Sequence, residues 1–109
     1  MTFIIGGYAS GKHEFARRAI KCSEANIFTV TDVIVEDYEK NNDAIFNIIA
    51  NHEIVIATEI GCGVIPADEK TRAHREAAGR LNVRLAQKAD CVVQMIAGVP
   101  RVIKGELQQ

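Results

Sequence analysis

At 109 residues, with 48% hydrophobic and 25% charged side chains, the chain has the balance of one compact globular domain, and residues 1–109 are too few for separate binding and catalytic domains. A formal net charge of -1 excludes the long-range positive field of a nucleic-acid binder. The four phenylalanines, mostly in core-like positions, and two tyrosines leave no aromatic platform for bases.

Phe3-Ile4-Ile5, closed by Gly6 and Gly7, predicts a short buried strand. From Gly11 to about Ser23 the pattern turns helical, with Phe15, Ala19 and Cys22 on one stripe and Ala16 and Ile20 beside it. Ile27 to Val30 predicts a second strand ending at Thr31-Asp32, and Ile45, Ile48 and Ile49 supply the inner face of a second helix. The acidic and polar stretch between them, Glu36 to Asp43, is expected at the surface. Glu53 to Thr58 reads as a third strand, buried on both faces as parallel strands usually are. Glu59 to Pro66 then forms a glycine-containing loop, and a long helix runs from about Asp68 to Lys88. Its apolar positions are small at first, Ala73 and Ala77, and larger later, Leu81 and Leu85. Cys91 to Ile96 and Arg101 to Lys104 are the last strands, with Gly98-Val99-Pro100 turning between them. Strands alternating with helices predict an α/β fold of the P-loop nucleotide-binding type: an open, mainly parallel sheet with a C-terminal hairpin.

No segment approaches the roughly 20 apolar residues of a membrane span, and Thr2 to Ile5 has no basic flank, so neither a span nor a leader is expected. Cys22, Cys62 and Cys91 are too widely spaced for a zinc cluster and odd in number for a disulfide framework. They predict reduced thiols in a cytoplasmic protein.

The strongest chemical signal is Gly6-Gly7-Tyr8-Ala9-Ser10-Gly11-Lys12, set between a strand and a helix. Glycine allows backbone amides to approach a phosphate closely, and the N-terminus of the following helix adds unsatisfied N–H groups and a positive dipole end. Lys12 is the candidate for the outer phosphates and for stabilising a transfer. A Walker A loop continues with a serine or threonine hydroxyl for magnesium, whereas this chain has His13, whose ring nitrogen is a poor ligand for that cation. Two carboxylates at strand ends, Asp32 and Glu59, are the candidates for holding a metal-nucleotide, since ligands of open parallel sheets collect at carboxyl ends. Arg72, Arg75, Arg80 and Arg84, mixed with Glu69 and Glu76, read as a solvated helix face. His52 and His74 read as surface or interhelical residues, and Cys62 as a small residue lining the glycine loop.

These pieces together resemble the bifunctional adenosylcobinamide kinase/adenosylcobinamide-phosphate guanylyltransferase family. Phe3 to Lys12 is similar to its opening phosphate-loop block, and Glu59-Ile60-Gly61-Cys62-Gly63-Val64-Ile65-Pro66 to its NExGxGxVP segment, with Thr58 in place of the asparagine. Arg72, Arg75, Gly79, Arg80 and Asn82 fit its arginine-rich helix. Ala97 to Pro100, with Val102 and Lys104, fit its closing turn and strand, and Asp32 corresponds to an aspartate near the nucleotide.

The resemblance implies ATP or GTP with Mg2+ as cofactors, phosphorylation of a cobinamide-like small molecule, and assembly as a homo-oligomer. It implies Lys12 and Glu59 as catalytic residues, nucleotide contacts from Gly6 through His13 together with Asp32 and Glu59, and Asp32 and Glu59 at the metal. Family members carry a longer stretch between the loop helix and the aspartate-bearing strand, which bears a guanylylated histidine. Here only Cys22 to Thr31 separates the two, and neither His13 nor His52 takes that role. Two readings follow: a nucleotide-binding relative that keeps phosphoryl transfer without guanylyl transfer, or a catalytically degenerate nucleotide-binding or self-assembling protein.

Overall fold

The structure, a computed structural model, describes residues 1–7, 11–19, 26–58 and 68–106. In chain order these form β1 (Thr2–Gly6), α1 (Lys12–Ala19), β2 (Ile27–Thr29), α2 (Asp32–Lys40), α3 (Asn42–Ala50), β3 (Ile54–Thr58), α4 (Glu69–Lys88), β4 (Cys91–Ile96) and β5 (Val99–Lys104). The five strands make one sheet in the order β2-β3-β1-β4-β5, parallel except for the antiparallel β4–β5 pair. The predicted mainly parallel α/β sheet with its terminal hairpin is therefore the observed architecture. No helix among the described residues is long and apolar enough to cross a membrane.

Alternation along the strands divides the core between the two faces of the sheet. Ile4, Ile54, Ile56, Val93 and Met95 pack with Ala16 of α1 on one face. Phe3, Val55, Ala57 and Val92 pack on the other with Val35 and Tyr38 of α2, Phe46 and Ile49 of α3, and Leu81 and Leu85 of α4. β1 lies between β3 and β4, so its carboxyl end sits at the middle of the sheet edge. Helix α4 starts where the Asp68 carboxylate accepts from the Thr71 backbone N–H at 3.0 Å, satisfying one of the free donors of the first turn.

Two expectations are corrected here, and a third holds with an exception. The Glu36–Asp43 stretch lies mostly at the surface as expected, as the second half of α2 and the start of α3, but Tyr38 within it is 4% exposed. Val35 and Tyr38, three apart, share the inward stripe, and the charges between them conceal a helix that is amphipathic over barely two turns. In α3 the inner face is Phe46 and Ile49, with Ile45 partly buried, while Ile48 is 55% exposed because one step along a helix rotates a side chain by about 100°. The last strand begins at Val99, and its turn is Ala97-Gly98. Both turn residues have positive φ, 48° and 79°, as the type I′ turn of a two-residue hairpin requires. Pro100, opposite Met95, then falls on the outer edge of the sheet, where a missing N–H breaks no ladder bond.

Candidate functional site

Four parallel strands deliver their carboxyl ends to one edge of the sheet. The register places Gly6 opposite Thr58 on one side and Met95 on the other. The Val30 N–H donates to the Ile56 carbonyl at 2.8 Å, which brings Thr31 level with Thr58. With neighbouring strands about 4.8 Å apart, the segment entering Asp32 lies roughly 10 Å across the sheet from Gly6. Glu59, next after Thr58 in the sequence, lies outside the described residues, as do Tyr8, Ala9, Ser10 and Cys62.

Lys12 opens α1 and is 8% exposed, the one buried charged side chain among the described residues. Its ammonium donates to the carbonyls of Gly6 at 3.2 Å and Gly7 at 2.7 Å, which turns the lysine back over the end of β1. Desolvation by burial holds its pKa below the ordinary lysine value. Gly11 before it has φ 85°, a left-handed conformation that lets the chain swing into the helix, and a Cβ on it would come within 3.6 Å of the Gly98 α-carbon in the β4–β5 turn. The described ends of the loop, Gly6 and Gly11, thus lie between the hairpin tip on one side and the ends of β3 and β2 on the other.

His13 does not stand alone. Its Nε2 is 3.0 Å from the Thr29 hydroxyl at the end of β2, so a hydroxyl reaches the position-13 side chain from another strand. Asp32 is the first residue of α2 behind the N-cap Thr31, where a carboxylate also complements the helix dipole. Its side chain is 94% exposed and meets His74 Nε2 at 3.2 Å, while His74 Nδ1 lies 3.6 Å from Glu39. His74 is therefore interhelical, one of the two placements expected for it. His52 directs its ring nitrogen to the Ile48 and Ile49 carbonyls just before β3, at the amino end of that strand and away from the loop.

The arginines of α4 divide. Arg80 pairs at the surface with Glu76 at 3.9 Å, as a solvated helix face would. Arg84 does not follow that expectation: its guanidinium lies 4.2 Å from the Phe46 ring centroid and donates to the Tyr38 hydroxyl and to Asp43, each at 3.2 Å. The hydrogen bonds, that to Tyr38 foremost, push its pKa above the ordinary arginine value, and together with the ring contact they fasten α4 to α2 and α3. Arg75 and Asn82 instead line a cleft of about 530 Å3 between α2 and α4 at the ends of β2 and β3. Sequence reasoning missed this cleft, Thr29 and the His74 bridge.

Among proteins of known family, a model described as cobinamide kinase / cobinamide phosphate guanyltransferase matches residues 25–103. The bifunctional adenosylcobalamin biosynthesis protein CobP of Pseudomonas aeruginosa is 36% identical over 53 residues, which cover 49% of this chain and 31% of that protein. The bifunctional adenosylcobalamin biosynthesis protein CobU of Salmonella typhimurium is 37% identical over 51 residues, covering 47% of this chain and 28% of its own length. The chain therefore matches less than a third of each of these curated relatives.

Proposed function

We propose that this chain, which belongs to the cobinamide kinase / cobinamide phosphate guanyltransferase family, binds ATP or GTP at residues 6–12 and keeps the phosphoryl-transfer half of the family's chemistry. The observation that carries this reading is the buried Lys12 ammonium, turned onto the Gly6 and Gly7 carbonyls at the carboxyl end of the central strand. A cation so held, beside the N-terminus of α1, is suited to the outer phosphates and to charge that builds up during transfer. The loop amides orient the phosphates, and Lys12 exchanges a carbonyl contact for a phosphate oxygen when nucleotide arrives.

Magnesium commonly binds through one or two carboxylates plus substrate phosphates and water. The exposed Asp32 carboxylate, an oxygen donor at the strand ends, fits that pattern, with Glu59 as the second candidate. The ion would supply charge neutralisation on the phosphates. Guanylyl transfer is not part of this proposal: His13 faces Thr29, His74 bridges two carboxylates, and His52 lies at the opposite end of β3. In this reading the protein acts as a single compact domain in the cytoplasm, within a homo-oligomer, on a cobinamide-like acceptor.

One observation favours the second reading, a nucleotide-binding protein without turnover: both His13 and Asp32 are engaged with protein partners. Titrations of ATP and GTP with and without magnesium, on the wild type and Lys12→Ala, test the shared claim of binding. Absence of binding at about millimolar nucleotide, an affinity of only about 4 kcal/mol, refutes both readings. Formation of cobinamide phosphate that disappears in Lys12→Ala selects the kinase, and its absence with binding intact selects the degenerate protein.

A further inference from the structure

We propose that the hollow between α1 and β2, lined by His13, Arg17, Ile27 and Thr29, is a second anion site, taking a single tetrahedral oxyanion: a phosphate monoester or inorganic phosphate. It stands apart from the nucleotide reading, and it lies on the opposite face of the sheet from the α2–α4 cleft. The local pattern builds it. His13 and Arg17 are four apart on α1, so both side chains leave one face of the helix. Ile27 and Thr29 are two apart on β2, so both point to one face of the sheet, where Ile27 packs beside Ile4, Ile56 and Ala16 of α1. The two pairs meet where His13 Nε2 lies 3.0 Å from the Thr29 hydroxyl.

The lining fixes the charge and the size of the ligand. Arg17 supplies a permanent cation, and no carboxylate stands among the lining residues, since Glu14 on the same helix meets Arg18 at 3.9 Å instead. In the tautomer protonated at Nε2, His13 donates to the Thr29 oxygen, which leaves the Thr29 O–H to donate onward to an anion. The Arg17 guanidinium adds a fork that can hold two oxygens at once. Arg17 is engaged elsewhere as well, and its five N–H donors let it serve a protein group and a ligand together. The hollow measures about 180 Å3, below the roughly 300–1,000 Å3 of pockets for larger organic ligands, so one phosphoryl group enters and a nucleoside does not. Ile27 gives it one apolar wall, suited to the ester carbon of a monoester.

Register separates this hollow from the phosphate loop. Thr29 pairs with Ile56, two residues before Thr58, and Thr58 is in register with Gly6. Two strand spacings of about 4.8 Å across the sheet and two residues of about 3.3 Å along it place Thr29 roughly 12 Å from the end of β1. A single phosphate therefore cannot lie on Thr29 and over the end of β1 at once. The two places nonetheless share a helix, because Lys12 opens α1 and His13 and Arg17 follow on it. An oxyanion bridging Arg17 and Thr29 fastens α1 to β2 at the outer edge of the sheet. A small phosphorylated molecule would thus act on the placement of Lys12 without touching it.

The test titrates the full chain with inorganic phosphate and, separately, with phenyl phosphate at constant ionic strength, following backbone amides and histidine rings by NMR. The Thr29 amide and the His13 ring are expected to respond with a Kd of about 1 mM. Arg17→Gln keeps a good helix former at an exposed position and should weaken that response at least about tenfold. Thr29→Val keeps the β-branched shape and should weaken it about threefold or more. Lys12→Ala should leave it within about twofold, and circular dichroism melting verifies that each variant is folded. A response to either anion supports the site, and the tighter of the two identifies the source of the phosphoryl group. No movement of Thr29 and His13 at about 50 mM of both anions, or unchanged affinity in both Arg17→Gln and Thr29→Val, overturns the proposal. Loss of the response in Lys12→Ala also overturns it, since the anion would then sit in the loop. ATP and GTP titrations of the same proteins are a separate result: if they show no binding while Thr29 responds to phosphate, the reading of the loop falls and the hollow keeps its assignment.

Discussion

Gly98 and Gly105 have nearly the same backbone twist and opposite surroundings, which lets one pair of substitutions separate conformational strain from steric conflict. Their φ values are 79° and 68°, both in the left-handed region. There an alanine costs about 1–2 kcal/mol. A Cβ on Gly98 meets nothing within 4 Å, so Gly98→Ala should lose only that amount. A Cβ on Gly105 would land well inside contact with the Asp90 carbonyl oxygen and crowd the Cys91 α-carbon at 3.3 Å. Neither neighbour is a side-chain end that can swing away. The backbone at Asp90 must shift instead, where its N–H donates to the Met1 carbonyl at 2.9 Å and its carboxylate meets the terminal ammonium at 2.8 Å. Disturbing that backbone hydrogen bond adds about 1 kcal/mol or more to the strain. Gly105→Ala should therefore lose about 2–4 kcal/mol, at least about 1 kcal/mol more than Gly98→Ala, by urea denaturation at pH 7 with unchanged slope. Equal losses in the two variants would refute the close approach of β5's end to Asp90.

Ala97 has φ 48° in the same turn, and asparagine tolerates that conformation better, so Ala97→Asn should raise stability by about 0.5–1 kcal/mol in the same assay. The Asp68 carboxyl is held below its ordinary value of 3.8 by its hydrogen bonds to Thr71. A carboxyl depressed in the folded state contributes stability above its unfolded pKa and loses it as pH falls through the folded value. Stability should thus fall below about pH 4, and Asp68→Asn, which keeps an N-cap oxygen, should show a shallower acid slope. Cys91 is buried, and that burial raises its thiol pKa, so in a Cys22→Ser, Cys62→Ser background iodoacetamide should label it far faster in about 6 M urea than in the native protein. Equal rates would contradict the packing of β4.

What was legible in the sequence was what depends on neighbours along the chain. The apolar runs Phe3–Ile5 and Ile54–Ala57 became β1 and β3, and Ala77, Leu81 and Leu85, read as apolar positions of the long helix, are the buried residues of α4. What was not legible was pairing at a distance. Nothing near His74 announces Asp32, 42 positions earlier, and nothing near Arg84 announces Tyr38, 46 positions earlier. Both contacts exist because α2 and α4 pack side by side on one face of the sheet. Ile48 was misassigned because α3 has enough isoleucines to offer more than one inner face, and only packing decides between them. The candidate site was legible to the same extent: the proposed phosphate loop is a local motif, whereas the Thr29 hydroxyl beside His13 and the α2–α4 cleft arise only when separate elements converge.

The position of β1 explains why one loop can have two distinct flanks. A strand at the edge of the sheet would expose its carboxyl-end loop to solvent on one side. β1 instead has β3 and then β2 to one side and β4 with β5 to the other. The acidic candidate Asp32 belongs to the first side, while the second carries a turn with exposed apolar neighbours and no carboxylate between Cys91 and Lys104. Charge chemistry and apolar contact are thereby separated across the width of three strands, about 10 Å, by topology alone. The family-matched span, residues 25–103, supplies both flanks, whereas the loop at residues 6–12 lies before it. Under the proposed reading, a substitution in α4 and one in the loop therefore probe different things: the first the surface beside the proposed nucleotide, the second the proposed phosphate cradle itself.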